Sequence, residues 1–294
     1  MMTQKTMYVW EGIENFGDVL NKTLFEKLYG ITFNFTQKHY EAEIIAIGSI
    51  LEAFMYHGHI IRKMKQFYNV ASKRIKEIDV LGSGFHYEPK ACNFHRKMNF
   101  KIVRGKLTEQ ILREYGYIQK ERSIVLGDLG ILSPYVYAKS KPDYLLGIVP
   151  HLNDLASPIF YEIYKKYGKE SILINVRDEP EKVITEISKC KNIISSSLHG
   201  LIVADSFEIP NRWIENRYKA VREESRFKYL DYYSSIGIEN ISPMQTIDFI
   251  GNDIKIVDNN YHKRYNEIAK KQKELYHTCE EYFAERHFLR HKRF

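Results

Sequence analysis

NIISSSLHGLIVADSFE (192–208) is the stretch that indicates the fold most directly. Its first part, NIISSS, is an apolar run that predicts a strand, and LHGLIVADSFE predicts a helix buried on all sides. A continuous apolar run, rather than an alternating one, indicates a strand covered on both faces, as in a parallel sheet. A strand followed at once by a helix is half of a βαβ unit, so the segment predicts a parallel α/β architecture.

The same strand–helix order recurs upstream, which extends the architecture over most of the chain. The other strands predicted from apolar runs are MYVW (7–10), EIIAIG (43–48), EIDVLGSG (77–84), KIVRG (101–105), SIVLGD (123–128), DYLLGIVPH (143–151) and SILINVR (171–177). The punctuated segment AKSKPD (138–143) separates two such series. We therefore predict an α/β fold of two Rossmann-like lobes facing a cleft, an N-terminal lobe over residues 1–140 and a C-terminal lobe over residues 141–258.

Residues 259–294 have a different composition, dense in Lys, Arg, Glu, His and aromatic residues, and predict a long basic C-terminal helix. Two roles stay open for it: packing back across the lobes, or contact with the inner face of the cytoplasmic membrane. The N-terminus shows no signal-peptide pattern, and the longest apolar run, IIAIGSIL (44–51), is well below the roughly 20 residues of a membrane span. We expect a cytoplasmic protein, with peripheral membrane contact through this helix as the open alternative.

The overall composition limits the classes of protein and of binding partner that fit this chain. A hydrophobic fraction of 44% argues against disorder, and a net charge of +7 is compatible with a phosphorylated metabolite, a nucleic acid or an acidic membrane surface as partner. Cys92, Cys190 and Cys279 form no CxxC pair, so we predict neither a disulfide framework nor a metal site. Basic and acidic residues are mixed along the chain without a nucleic-acid-binding motif, so no nucleic-acid partner is expected.

Polar residues after the predicted strands are the candidates for a site, because open α/β sheets bind ligands at the carboxyl ends of their strands. Asn15 and Asp18 precede or begin a helix, where backbone N–H groups attract anions, although Asp18 equally fits a helix N-cap. Gly84 ends a small-residue turn, which tight packing explains as well as a ligand does. Arg104 offers a bidentate fork to a carboxylate or phosphate, and Lys106 a point charge; a buried Arg–Asp pair is the alternative for Arg104.

In the second half, His151, Arg177 and His199 each follow a predicted strand. Histidine is the usual general acid or base near neutral pH, although a single histidine is more often structural. Neither G-x-G-x-x-G nor a P-loop is present, so no dinucleotide or nucleoside triphosphate cofactor is predicted. From the residues alone, the pattern indicates an anion-binding α/β transferase.

The order of these segments resembles the polysaccharide pyruvyl transferase family, in particular the branch of the succinoglycan and xanthan pyruvyltransferases. The segments that carry the resemblance are NFGDVLN (15–21), IGSIL (47–51), VLGSGF (80–85), VRGKLT (103–108), LGDLGIL (126–132), VPHLND (149–154), SSSLHGLIVADSFEIPN (195–211) and FKYLDYY (227–233). The resemblance implies a fold similar to GT-B glycosyltransferases and phosphoenolpyruvate as donor co-substrate without a cofactor. It also implies a sugar acceptor, usually on a lipid-linked oligosaccharide, in exopolysaccharide, capsule or lipopolysaccharide synthesis.

The resemblance aligns Arg104 and His199 with family positions that contact the donor, and the other candidates receive their roles from their position after strands around one cleft. His199, Asp18 and Arg104 are the expected catalytic residues, with His199 as general acid or base. Donor contacts are expected from Arg104, Lys106, Ser197, His199, Gly84 and Arg177, and acceptor contacts from Asn15, Asp18 and His151. One departure is that many relatives carry Arg-Leu-His where this chain has Ser197-Leu198-His199. If that arginine binds the phosphate, its role passes here to Lys106, Arg177 or another base.

Three other functions stay open at this stage. A GT-B glycosyltransferase would use the same lobes to bind a nucleotide sugar, because a fold does not fix a function. A sugar-binding module without activity would bind the donor and never turn it over. A nucleic-acid-binding protein would use the basic surplus, and its binding would fall steeply with salt.

Overall fold

A computed structural model of the chain describes residues 5–10, 15–56, 77–216, 223–258 and 265–286. These residues form two parallel β-sheets with flanking helices, which confirms the predicted α/β class. The first sheet contains β1 Thr6–Tyr8, β2 Asn34–Thr36, β3 Ile44–Ile45, β4 Glu77–Leu81, β5 Lys97–Val103 and β6 Val125–Leu126. The second contains β7 Tyr144–Val149, β8 Ser171–Leu173, β9 Cys190–Ser195, β10 Asn211–Glu215 and β11 Met244–Gln245.

The helices alternate with the strands, as the sequence predicts. They are α1 Phe16–Tyr29, α2 Lys106–Glu114, α3 Pro158–Tyr167, α4 Pro180–Ser188, α5 Leu198–Ser206, α6 Phe227–Ser235, α7 Thr246–Ile250, α8 Lys255–Asp258 and α9 Tyr265–Glu285. Short 3₁₀ turns at Leu51–Phe54, Leu129–Tyr135, Leu152–Asp154, Gly168–Glu170 and Glu223–Arg226 complete the connections. All nine residues of α5 are buried, as expected for a helix without a polar face.

Both sheets have the same kind of strand order, and this order locates the site. The first sheet runs β2-β1-β3-β4-β5-β6 and the second β11-β10-β9-β7-β8, with every described pairing between their strands parallel. In each sheet the chain changes direction after its first strand, between β1 and β3 and between β7 and β9. Such topological switch points open a crevice at the carboxyl ends of the strands, where open α/β sheets bind ligands.

The two sheets share a hydrophobic core instead of being held apart by a linker. The largest buried apolar cluster includes Leu20 and Leu24 of α1, Val183 and Ile184 of α4, and Leu201 of α5. It therefore joins a helix of the first sheet to two helices of the second. A shared core limits relative motion of the halves, because separating them exposes apolar surface. The lobe boundary near residue 140 stays a prediction.

Helix α6 belongs to the C-terminal series but is fixed to the first sheet. The Asp231 carboxylate accepts hydrogen bonds from the Arg104 Nε (3.0 Å), the Thr108 N–H (2.9 Å) and the Thr108 hydroxyl (2.7 Å). A Cβ at Gly105 would lie 1.8 Å from the Asp231 carbonyl oxygen, so only glycine allows this approach of the two backbones. The bonds place one face of α6 at the crevice between the sheets.

The predicted C-terminal helix is present as α9, and the flanking residues 259–264 and 287–294 lie outside the described part of the chain. It packs back on both halves: the Gln272 side chain donates to the carbonyl oxygens of Ile131 and Ser206, and the Tyr282 hydroxyl donates to Asp79 (2.7 Å). Its described residues carry both acidic and basic side chains. Within the described ranges, no helix is both long enough and apolar enough to span a bilayer.

Candidate functional site

A cavity of about 510 Å³ opens where the switch points of the two sheets meet. Trp10 follows β1, Ser49 follows β3, His151 follows β7 and Ser197 follows β9, and all four side chains line it. The remaining lining residues are Asn15, Asp18, Ile50, Glu52, Ala53, His86, Tyr87, Leu198, His199 and Lys228. The structure thus brings together five of the predicted site residues: Asn15, Asp18, His151, Ser197 and His199.

The N-terminus of α1 forms one wall, with Asn15 and not Asp18 as its N-cap. The Asn15 side chain accepts from the Gly17 N–H and donates to the Asp18 carboxylate (3.3 Å). Asn21, one turn later, pairs with both backbone groups of Ile47 (2.8 and 2.9 Å), which fixes α1 against the segment after β3. Burial raises the pKa of Asp18, while His199 and Lys228 act in the opposite direction.

His199 lies on the first turn of α5 and contacts the opposite half of the molecule. A Cβ at Gly17 would lie only 2.0 Å from the His199 Nδ1, so the imidazole packs directly against the backbone of α1. The Phe16 ring meets the imidazole edge-to-face at 6.2 Å between centroids. Burial lowers the pKa of His199 to about 4, partly opposed by Asp18. The imidazole is therefore neutral near pH 7.

Behind His199 lies Asp128, which the sequence analysis did not single out. The His199 Nε2 and the Asp128 Oδ2 are 3.8 Å apart, and both atoms are buried without a hydrogen-bond partner among the described residues. The other carboxylate oxygen of Asp128 accepts from the Gly130 N–H (2.9 Å). Burial raises the pKa of Asp128 to about 6.

Lys228 of α6 is a second residue that the sequence analysis missed. Its side chain is buried at the cavity with Nζ 5.3 Å from the centroid of the Tyr229 ring, and it forms no ion pair within the described part of the chain. Burial lowers the pKa of Lys228 to about 8, and the positive charge of Arg104 adds to this effect. An ammonium group buried without a carboxylate partner is costly, which makes it a ready ligand for an anion.

Arg104 is completely enclosed, as the alternative of a buried Arg–Asp pair predicts. Its guanidinium donates to Asp231, to the Ser49 hydroxyl and to the Phe85 carbonyl oxygen, and its side chain is 0% exposed. Gly84 packs against this guanidinium, since a Cβ there would lie 2.7 Å from the Arg104 Cζ. A direct donor contact through either residue stays a prediction, and it requires Arg104 to exchange one of these partners.

The remaining predicted residues lie at different distances from the cavity. Lys106 is half exposed, pairs with Glu239 (2.9 Å) and does not line it. Arg177 lines a neighbouring cavity of about 450 Å³, which shares Trp10, Asn15 and Asp18 with the first. The His151 N–H donates to the Ser196 hydroxyl (2.8 Å), and its Nδ1 accepts from Asn153 (3.2 Å).

The arrangement combines an anion-binding end with groups that exchange protons. The N-terminus of α5 presents backbone N–H groups beside Ser197, and Lys228 supplies a cation at the same cavity. His199 and Asp18 line the cavity with pKa values shifted by burial, which is typical of acid–base residues. In the described part of the chain, no three His, Cys, Asp or Glu side chains converge as a metal site.

Comparison with known proteins identifies relatives. The sequence pattern of the family described as "Polysaccharide pyruvyl transferase" matches residues 15–218. The uncharacterized protein L143 of Acanthamoeba polyphaga mimivirus is 29% identical over 251 residues, which cover 83% of this chain and 78% of that protein. The succinoglycan biosynthesis protein ExoV of Rhizobium meliloti (strain 1021) is 25% identical over 240 residues, which cover 79% of this chain and 65% of that protein.

One solved structure resembles this chain weakly. The crystal structure of the functionally uncharacterized protein KP1_0663 from Klebsiella pneumoniae aligns with a TM-score of 0.43 and 14% sequence identity. The alignment covers 82% of this chain and 94% of that one. At this level of similarity it carries no inference about function.

Proposed function

Because this chain belongs to the polysaccharide pyruvyl transferase family, we propose that it transfers the pyruvyl group of phosphoenolpyruvate to two hydroxyls of a sugar. The product is a pyruvate ketal, and the setting is the synthesis of a surface polysaccharide, as the relationship to the succinoglycan protein suggests. The observation that supports the donor most directly is the buried Lys228, which forms no ion pair among the described residues and lies at a cavity that also receives the N-terminus of α5 and His199.

Phosphoenolpyruvate carries a phosphate and a carboxylate, and the cavity offers positive potential for both. Lys228 contributes a full charge, and the first turn of α5 contributes backbone donors and the positive end of a helix dipole. Burial is the main cause that lowers the pKa of Lys228, His199 and His86, and the charge of Arg104, just behind the wall, lowers each of these pKa values further. A bound anion attracts these positive charges and offsets the repulsion between them, so donor binding stabilises the charged forms of Lys228, His199 and His86.

His199 is the proton-transfer residue in this proposal. Ketal formation moves one acceptor proton to C3 of phosphoenolpyruvate, which becomes the methyl group, and the other leaves with inorganic phosphate. His199 is neutral near pH 7, and the negative charge of the donor raises its pKa so that it can gain and return a proton. Lys228 and the helix N-terminus stabilise the departing phosphate.

The acceptor side is assigned to the wall formed by the N-terminus of α1. Asp18 lines both cavities, and its carboxylate, held by Asn15, orients or deprotonates the attacking hydroxyl. His151 supplies a further polar contact across the main cavity. The sugar is carried on a lipid-linked oligosaccharide at the inner face of the cytoplasmic membrane, and the reaction requires no cofactor besides the donor.

The proposal is tested by turnover. The protein is incubated with phosphoenolpyruvate labelled with ¹³C at C2 and with a panel of glycosides that carry free 4,6- or 3,4-diols. The expected result is a new ketal carbon signal together with an equimolar amount of phosphate, and both are lost in His199→Ala. Transfer of the label in His199→Ala at the wild-type rate would refute the assignment of His199 as the proton-transfer residue. Glycosyl transfer from a nucleotide sugar, with phosphoenolpyruvate unused, would make the protein a glycosyltransferase instead.

A further inference from the structure

We propose that Asp128 is a positioning residue for His199, which holds the imidazole in the tautomer that presents Nδ1 to the substrate. The inference rests on the proposed function and deepens it, because it specifies which nitrogen of His199 exchanges the proton. It begins from two buried atoms that lie 3.8 Å apart and make no hydrogen bond within the described part of the chain, the His199 Nε2 and the Asp128 Oδ2.

Of the two ring nitrogens of His199, Nε2 is the one that lies near the Asp128 carboxylate. The His199 Nε2 is enclosed, while the residue still lines the cavity, so Nδ1 is the ring nitrogen available to a ligand. The separation of 3.8 Å is too long for a hydrogen bond. Catalytic hydrogen bonds are often long in empty sites and shorten when the substrate binds.

The surroundings of the imidazole restrict its other orientations. The backbone of Gly17 lies against Nδ1 and Cγ on one side, and the Phe16 ring lies edge-to-face on another. On the far side, Asp128 is itself fixed, because its Oδ1 accepts from the Gly130 N–H at the start of the 3₁₀ turn Leu129–Tyr135. Both partners are thus held by contacts that do not depend on the interaction between them.

The carboxylate determines the tautomer by charge. An ionised Asp128 is only an acceptor, so it favours a proton on Nε2 and leaves the lone pair on Nδ1. When Nδ1 takes a proton from the acceptor hydroxyl, the imidazolium charge is stabilised by the carboxylate on its other side. Nδ1 then passes that proton to C3 of phosphoenolpyruvate, which becomes the methyl group, and Asp128 remains ionised throughout.

The other charged groups around His199 do not substitute for Asp128. Asp18 lies on the cavity side, where it favours the protonated ring, while Lys228 and Arg104 oppose protonation. Among the described residues, Asp128 is the carboxylate that forms the close approach to Nε2. Removing the charge of Asp128 should therefore change the tautomer of His199 and leave the anion-binding groups of the cavity in place.

The test uses Asp128→Asn in the full-length protein. Asparagine keeps the oxygen that accepts from the Gly130 N–H but places an amide donor opposite Nε2, which favours a proton on Nδ1 instead. In ¹⁵N-histidine-labelled protein, with the His199 signals assigned from His199→Gln, we expect the wild type as the Nε2–H tautomer and the variant as Nδ1–H. With phosphoenolpyruvate and acceptor, kcat should fall about 10²–10⁴-fold, while the Kd for phosphoenolpyruvate stays within a few-fold.

Asp205→Asn is the matched control. Asp205 is a fully buried aspartate on the same helix as His199, bound to Asn211 (2.7 Å) and Tyr232 (2.8 Å) away from the cavity. The Asp205→Asn variant should have a lower free energy of unfolding and an unchanged His199 tautomer and kcat. An unchanged tautomer in Asp128→Asn, or an unchanged kcat, would overturn the inference. Failure of the wild type to bind phosphoenolpyruvate would instead refute the proposed function, and the tautomer measurement would still decide the role of Asp128.

Discussion

The contact between Gly17 and His199 makes Gly17→Ala the sharpest perturbation of the site. Gly17 lies in the first turn of α1, and its added Cβ would be 2.0 Å from the His199 Nδ1 and 2.3 Å from Cγ. Non-bonded carbon contacts normally begin near about 3.5 Å. Either the imidazole or the end of α1 must therefore move by about 1.5 Å, because neither the ring nor the backbone yields like a flexible side chain.

The expected effect on activity is much larger than that on folding. Overpacking typically costs about 1–3 kcal/mol, and alanine recovers about 0.5–1 kcal/mol of it through its better helix propensity. A displacement of about 1 Å at a reacting group costs about 10²-fold in rate. We expect kcat to fall about 10²-fold or more, with a small decrease in the free energy of unfolding.

Phosphate release in the presence of phosphoenolpyruvate and acceptor measures the rate, and urea unfolding measures the stability. Gly251→Ala is the control, since this glycine caps the C-terminus of the short helix α7, does not line the cavity, and its Cβ would meet nothing closer than 3.6 Å. The ¹⁵N signals of His199 should shift in Gly17→Ala and not in Gly251→Ala. A Gly17→Ala protein with wild-type kcat and unshifted His199 signals would show that the imidazole does not act from this position.

Three further perturbations address the donor site and the link between the halves. Lys228→Met should raise the Kd for phosphoenolpyruvate by at least tenfold in calorimetric titrations, because it removes a buried cation from the cavity, and Lys97→Met, at an exposed pair with Glu77 outside the cavity, should change it little. In the wild type, the Kd for phosphoenolpyruvate should rise by up to tenfold per pH unit above about pH 8, because the ammonium of Lys228 has a pKa of about 8 in the free protein and a higher pKa with the anion bound. A Kd that stays constant up to pH 9.5 would contradict this prediction. Asp231→Ala should lower the free energy of unfolding by about 3–5 kcal/mol, because it leaves the buried Arg104 unpaired, whereas Glu239→Ala, which breaks an exposed pair, should leave the urea midpoint unchanged.

The sheets were predictable from local pattern, whereas some of their strands were not. Continuous apolar runs followed by helical spacing gave the long strands, because burial on both faces leaves a clear signature. The run EIIAIG (43–48) predicts a longer strand than the observed Ile44–Ile45. Strands β2, β10 and β11 were missed, and they lie at or next to sheet edges, where the pattern is weaker.

Some cavity residues were likewise predictable from local sequence, whereas others reach the cavity only through long-range contacts. Residues directly after a strand, such as His151 and His199, were predictable because parallel strands end at one edge of the sheet. Lys228 lies inside a helix, and its place at the cavity depends on the long-range bonds between Asp231 and the first sheet. Asp128 follows a predicted strand, so its position was a usable signal, but its pairing with His199 requires the two halves to be assembled.

The most direct test of the account is whether the protein binds phosphoenolpyruvate. Thermal unfolding is recorded with phosphoenolpyruvate, with UDP- and GDP-sugars, and with inorganic phosphate as the control for any anion, for the wild type and Lys228→Met. A ligand at about 100 times its Kd adds about 2.7 kcal/mol, or about 4 °C for a chain of this length. The account predicts a shift of this size with phosphoenolpyruvate that Lys228→Met reduces, and a smaller one with phosphate. A shift with a nucleotide sugar and none with phosphoenolpyruvate would contradict it.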